Sequence, residues 1–354
     1  MPSPLPLKIC FLLESCALSG GVRVVLDLAR ALQARGHEAI VLSRRGQPDW
    51  YPHPVAIQHA DDLAHHGRAL NADVVVATFW TTLRPALACG ARHTLHFCQG
   101  CEWENIEYAE IDGQIAAAYA TPVPTLTVGP WLGPKITRKT GKPATLIHTL
   151  GQCVDTQTYH PLPAFQRLLR TLRPRRAPSL LIPGIAQATV KGIRDALQAV
   201  ALLRQQGMAL EVVRVSAMDP MEDEARLTPI DRYFQAIPTA QMAQLYREAD
   251  LVVVPSLEGE GFGLPFVEAL ASGTPALASD ISSFRSIAAQ LSAEDLLFPA
   301  GNPEALSGAL RAALSHLPRH RSATRHFRRQ IIARFAPAAV ARRFEDIVAS
   351  LPSP

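Results

Sequence analysis

The feature that most limits what this chain can fold into is a strand, loop, helix, strand unit at its start. Residues 9–13 form an apolar run of strand length, Ser19-Gly20-Gly21 interrupts it, and Val25, Leu28 and Leu32 recur at helical spacing within residues 22–35. Gly36 stands where a helix C-terminal glycine belongs, and residues 39–43 form the next strand. Two strands joined through a helix run parallel, and a parallel sheet needs helices on both faces. The fold class expected is therefore α/β.

The alternation continues. Strands are predicted at residues 74–79, 94–97, 125–128 and 145–148, which completes one Rossmann-like half. A proline-containing stretch, 151–163, separates it from a second alternation with strands at 180–182, 210–215, 251–254 and 276–278 and helices at 192–206, 240–248 and 265–271. At 354 residues the chain is long enough for two such doubly wound domains. The expected boundaries are 1–158 and 159–336, with a terminal helix at 337–352 packing back on the first domain. Two facing halves would place a ligand in the cleft between them.

Composition narrows the function classes. Hydrophobic residues at 48% and charged residues at 19% describe a globular chain. No apolar stretch reaches the length of a membrane span, and the N-terminus lacks a secretory pattern, so a cytoplasmic protein is expected. Cys98 and Cys101 form a C-x-x-C behind His93 and His96, but ligands along a strand alternate between faces, and the thiols are read as core residues rather than a metal site. Arginines gather at Arg167, Arg170, Arg173, Arg175 and Arg176 and again across 319–329. The plain reading is a solvated helix face; the sharper one is peripheral contact with an anionic membrane or a lipid-linked acceptor. No nucleic-acid module accompanies them, and none is expected as a partner.

Chemistry concentrates in residues 258–275. Strand 251–254 delivers the chain to the carboxyl edge of its sheet, where open α/β sheets bind ligands. Gly259, Gly261 and Gly263 let the backbone approach a ligand closely, and Pro265 suits the first turn of a helix whose free N–H groups favour an anion such as a diphosphate. Glu260 in the loop and Glu268 one turn into the helix can each accept two hydroxyls at once, which suits vicinal diols of a sugar or ribose. No D-x-D accompanies them, and Glu222-Asp223-Glu224 lies in a polar stretch and is expected to be solvated.

With G-F-G-L-P inside the pair and A-L-A-S-G-T-P after it, this segment resembles the E-x7-E hallmark of family 4 of the retaining GT-B glycosyltransferases. Ser19-Gly20-Gly21-Val22, Arg35-Gly36-His37-Glu38, Val154-Asp155, Tyr159-His160-Pro161 and Lys191-Gly192 extend the resemblance along the chain. It implies an acceptor-side first domain and a donor-binding second domain. By resemblance Glu268 holds ribose hydroxyls and Glu260 donor-sugar hydroxyls. The amides of Gly261, Phe262, Gly263 and Leu264, with Lys191, stabilise the leaving diphosphate, while Gly20 and Gly21 approach the donor. The residues around Ile237 would wall the base. Transfer from a nucleoside diphosphate sugar to a glycan or lipid-linked hydroxyl, with retention and without a metal or other cofactor, is what the family implies.

Two positions depart from that pattern. Ile185 stands where the family places an arginine after Gly184, which leaves Arg194, Arg214 or Arg23 as substitutes. Gln99 stands where many members carry histidine, in an F-x-Q-G-x-E form that resembles a rhamnosyl and surface-polysaccharide subgroup. Gln99 can hydrogen-bond but carries no proton at neutral pH. His96 is either its replacement or a core histidine. A sugar phosphorylase, a hydrolase or a catalytically degenerate sugar-binding partner would share the loop, whereas a dinucleotide dehydrogenase lacks support because G-x-G-x-x-G is missing.

Overall fold

The structure is a computed structural model describing residues 6–166 and 177–352; the arginine cluster at 167–176 lies outside the described residues. The chain divides into two compact units, Met1–Val154 with Arg334–Pro354, and Asp155–Ala333.

The first unit runs β1 (Lys8–Leu13), α1 (Gly20–Gln33), β2 (Glu38–Ser43), β3 (Ile57–His59), α2 (Leu63–Ala69), β4 (Val74–Ala77), α3 (Leu83–Ala88), β5 (His93–Cys98), α4 (Asp112–Ala120), β6 (Thr125–Thr127), α5 (Leu132–Thr140) and β7 (Ile147–Thr149). Among the described residues its strands form a seven-stranded sheet ordered β3-β2-β1-β4-β5-β6-β7, with every pairing parallel. Ile9 pairs with Ala39 on one side and Val74 on the other, which buries the apolar runs of β1 and β4 on both faces. The strand order reverses between β1 and β4.

The second unit runs β8 (Ser179–Pro183), α6 (Ile193–Gln205), β9 (Glu211–Ser216), α7 (Glu222–Leu227), β10 (Arg232–Gln235), α8 (Thr239–Glu248), β11 (Leu251–Val254), α9 (Leu264–Ala271), β12 (Ala276–Ser279), α10 (Ser282–Leu291), β13 (Leu297–Phe298), α11 (Pro303–Ser315) and α12 (Leu317–Phe335). Among the described residues its six-stranded parallel sheet is ordered β10-β9-β8-β11-β12-β13 and reverses between β8 and β11. Its core joins Leu180 and Ile182 of β8 to Ala196, Val200 and Leu203 of α6, and reaches Leu306 and Leu310 of α11.

Several sequence expectations shift. Gly20 and Gly21 are the first helical residues of α1 rather than a loop, because the Ser19 hydroxyl accepts from Val22 N–H at 3.1 Å and caps the helix there. The units divide at Val154/Asp155, ahead of the expected 158/159. The Asp155 carboxylate turns the chain by accepting from the Gln157 and Thr158 N–H groups, and Tyr159 then stacks edge-on against Tyr246 of the second unit at 5.7 Å. Glu224, expected in solvent, is buried. Arg321 and Arg328 of α12 turn inward, Arg321 to Asp250 at 2.5 Å and Arg328 to the Thr156, Tyr159 and Ala271 carbonyls. All six cysteines are buried free thiols.

The last helix, α13 (Pro337–Ser350), packs on α1. Glu345 receives the Arg35 fork at 2.5 and 2.6 Å and the His37 ring at 2.9 Å. Leu7 N–H donates to His37 Nδ1 at 3.1 Å, so Nδ1 is the acceptor and Nε2 carries the proton toward Glu345. The Arg35 hydrogen bonds, with those of His37, hold the Glu345 carboxyl below its ordinary value against the opposing effect of burial. A depressed carboxylate stabilises the fold fully above its unfolded value, near 4.3, and ceases to do so as pH falls through the folded value. Glu345→Gln is expected to lower stability at neutral pH by roughly 1–2 kcal/mol, with the deficit shrinking toward about pH 3, in urea melts at several pH values.

Candidate functional site

The second unit's site grows from the two central strands where its order reverses. β8 ends at Pro183, and Gly184, at φ +133°, turns the chain away. The turn Thr189–Lys191 then presents Lys191, and Gly192 at φ +59° starts α6. A Cβ on Gly192 would sit 1.9 Å from the Pro255 carbonyl oxygen, so only glycine lets this loop lie against the exit of β11. Leu257 N–H completes the link by donating to the Val190 carbonyl at 2.7 Å.

The β11 loop carries the paired carboxylates. Gly259 (φ +105°) and Gly263 (φ +77°) take left-handed conformations, and a Cβ on Gly263 would enter the Phe284 ring. Glu260 lies between Lys191 Nζ at 2.6 Å and the Ser256 hydroxyl at 2.9 Å. Burial pushes its carboxyl up, but the Lys191 charge and hydrogen bond, with Ser256 and the Gly261 N–H, outweigh burial and hold it below the usual range. Glu260 is thus an anion at neutral pH. Gly263 caps α9, whose first turn holds Leu264 and Pro265, and Phe262 is buried beneath. Glu268, one turn in, is buried and accepts from the Tyr246 hydroxyl at 3.0 Å.

The proposed substitute arginines are otherwise engaged. Arg214 is fully buried; it donates to Glu224 at 2.8 Å, to the Ile182 carbonyl at 2.5 Å and to the Gly184 carbonyl at 3.0 Å. It therefore holds the end of β8 and the first residue of the Lys191 loop from behind and presents no charge to a ligand. Glu224 also accepts from Met221 N–H at 3.0 Å, which starts α7. Arg194 is exposed and paired with Asp223. Arg23 belongs to α1 in the first unit. Ile237 follows Ala236, which holds φ +47°, at the exit of β10.

Gln99, Gly20 and Gly21 gather in the first unit. Gln99 Nε2 donates to the Gly21 carbonyl at 3.1 Å, and its Oε1 is buried without a partner. His96 is fully buried and edge-on to Tyr119 at 4.6 Å; burial, and then Lys142, lower its pKa to about 3. It is a neutral core histidine. Cys98 donates to the Gly100 carbonyl at 3.0 Å, and the Cys98 contact and burial push the Cys101 thiol up, so thiolate ligation is disfavoured there. The structure thus brings Lys191, Glu260, Gly261, Phe262, Gly263, Leu264 and Glu268 together in one unit and Gln99, Gly20 and Gly21 in the other. Ser256, Tyr246 and the Arg214–Glu224 pair escaped the sequence reading.

Two parallel doubly wound sheets of this kind are the architecture of the GT-B fold, which solved glycosyltransferase structures share with this chain. Residues 177–316 match the family model described as glycosyl transferases group 1. The chain is 40% identical over 83 residues to the phosphatidyl-myo-inositol mannosyltransferase of Mycobacterium leprae, covering 23% of this chain and 22% of that protein. It is 34% identical over 110 residues to the D-inositol 3-phosphate glycosyltransferase of Nocardia farcinica, covering 31% and 24%. The chain thus spans about a quarter of the length of these relatives. Over the whole fold it resembles Anabaena Alr3699/HepE, solved in complex with UDP-glucose, with a TM-score of 0.80 and 16% identity over 98% of this chain and 100% of that one.

Removing one partner from a buried ion pair strands the other. Arg214→Met is expected to cost about 3–5 kcal/mol, and Arg214→Met with Glu224→Gln markedly less than the sum of the two single changes, in denaturant melts of the single and double variants.

Proposed function

We propose that the chain is a glycosyltransferase moving a hexose-type sugar from a nucleoside diphosphate donor to a hydroxyl, with retention at the anomeric carbon, in the synthesis of a surface polysaccharide or glycoconjugate. The observation that carries this is the joining of Lys191, Glu260 and the α9 N-terminus on two loops at the reversal point of the second sheet. The family match over the same unit supports it.

In this reading the donor diphosphate takes Lys191 from Glu260. The ammonium then faces an anion that gains charge as the glycosidic bond breaks, and the positive end of the α9 dipole adds to it. Glu260, still held by the Ser256 hydroxyl, accepts hydroxyls of the donor sugar. Glu268 accepts the ribose hydroxyls while Tyr246 fixes its second oxygen. Lysine and helix dipole supply the positive charge that a metal would otherwise bring, so the reaction proceeds without one. The departing phosphate serves as base for the acceptor on the same face, which gives retention. Ile237 borders the nucleobase, and Gln99, Gly20 and Gly21 act in the first unit.

The acceptor is a glycan or lipid-linked hydroxyl in this reading. No helix among the described residues is long and apolar enough to cross a membrane. The exposed arginines Arg319, Arg325 and Arg329 of α12, a helix without an acidic residue, would serve peripheral contact with an anionic leaflet from the cytoplasmic side.

A ligand that binds only the native state stabilises it by about 2.7 kcal/mol at a hundredfold excess over Kd. One of UDP, GDP, ADP or dTDP is expected to raise the melting temperature. Lys191→Ala is expected to abolish that rise together with sugar transfer. Glu268→Gln, which keeps an acceptor for Tyr246, should weaken both about hundredfold, with both variants folded at the assay temperature. Full transfer by both variants sinks the assignment.

A further inference from the structure

The chain has four tryptophans, Trp50, Trp80, Trp103 and Trp131, and all lie in the first unit. Each follows the carboxyl end of a parallel strand: β2, β4, β5 and β6. All four are half-buried, whereas Phe11, Phe97, Tyr119 and Phe344 of the same unit are fully buried. The chain fills the core here with phenylalanine and tyrosine and keeps its indoles for one sheet edge.

Trp50 stands apart, its N–H held by the Cys16 carbonyl at 2.9 Å. The other three follow adjacent strands, spaced about 4.8 Å apart, on segments that pack on α4. The turn Trp80–Thr82, the turn Glu102–Glu104 and helix α5, which Trp131 precedes, all pack on α4. Trp103 meets Tyr119 of α4 edge-on at 4.9 Å, and Lys135 of α5 joins Glu104 at 2.9 Å. Trp131 lies over Gly129, where a Cβ would come within 1.9 Å of its ring, so the glycine is what seats the indole.

We infer that Trp80, Trp103 and Trp131 form a saccharide-binding edge, with Gln99 as its polar contact. A pyranose has an apolar C–H face, which partly exposed indoles can cover, and a rim of hydroxyls, which need donors and acceptors. Among the buried polar atoms of this unit without a protein partner are Gln99 Oε1, an acceptor, and Trp80 Nε1–H, a donor. An alkyl chain would satisfy neither. Lys135 and Lys139 are already paired with Glu104 and Asp112, so these two cations are engaged, which fits a neutral ring better than a phosphorylated one. The edge acts as an acceptor site if the transferase reading holds, and it then makes the acceptor a glycan.

Because every tryptophan lies in the first unit, intrinsic tryptophan fluorescence reports on this edge, whereas nucleotide stabilisation reports on the second unit. Di- to tetrasaccharides of glucose, mannose and rhamnose are the probes. At least one series is expected to quench or blue-shift the emission saturably. Trp131→Ala and Trp103→Ala should weaken that binding about tenfold or more, Trp131→Phe should restore most of it, and Trp50→Phe should leave it unchanged. In all four variants the nucleotide-induced rise in melting temperature is expected to persist. Emission unmoved by every series, or unchanged affinity in both alanine variants, overturns the inference. Loss of nucleotide stabilisation in the wild-type chain would instead sink the transferase reading and leave the fluorescence result standing.

Discussion

The Lys191 loop and the Glu260 loop are one surface because nothing but backbone fits between them. β8 and β11 are neighbours, Leu180 beside Leu251, although far apart in the chain. Hydrogen bonding of the strands brings the loops near, and Gly192 against the Pro255 carbonyl brings them into contact. The Leu257 to Val190 bond then sets their register. A lysine and a carboxylate 69 residues apart can meet at 2.6 Å only on such a platform. A side chain at position 192 would part the loops and separate the charges.

Behind that surface a second pair of charges does structural work. Arg214 spends its guanidinium on two carbonyls of the β8 exit and on Glu224. Taking ions out of water costs several kcal/mol each, so the arrangement holds only because each has partners of good geometry. What results is a rigid start to the Lys191 loop at Gly184. One fully buried pair thus fixes the backbone, while a partly exposed pair, Lys191 with Glu260, lies on the loops themselves.

The sequence revealed the parts where one local signal decides. β11 was read with its observed bounds because Leu251, Val252, Val253 and Val254 are buried on both faces and nothing polar interrupts them. β3 and β10 were missed because edge strands bury less; Gln58, His59, Arg232 and Gln235 carry no apolar pattern. Gly20 and Gly21 looked like a loop since glycine disfavours helix, and the Ser19 cap overrides that preference. Lys191, Glu260, Gly263 and Glu268 were legible as site candidates from spacing. Their pairing was not, because ion pairs follow tertiary approach. Arg214 read as a free cation and Glu224 as a solvated acid for the same reason: each hides the other.

In the proposed reading the two units recognise their ligands by different chemistry. In the second, glycines bare the backbone, and fixed charge meets charge; no tryptophan occurs there. In the first, the strand exits carry indoles, and the side chain that hydrogen-bonds the Gly21 carbonyl is an uncharged glutamine, Gln99. Charge suits a diphosphate, whose own charge grows as its bond to the sugar breaks and whose departure must be assisted. Stacking suits a neutral ring whose orientation must be held while its charge stays constant. Lys191 can trade Glu260 for a phosphate because both are anions, and no such trade is open to Gln99, which can gain a hydrogen bond from a hydroxyl and nothing stronger. The glutamine in place of an ionisable group is therefore consistent with a partner that is positioned, not polarised, by the first unit.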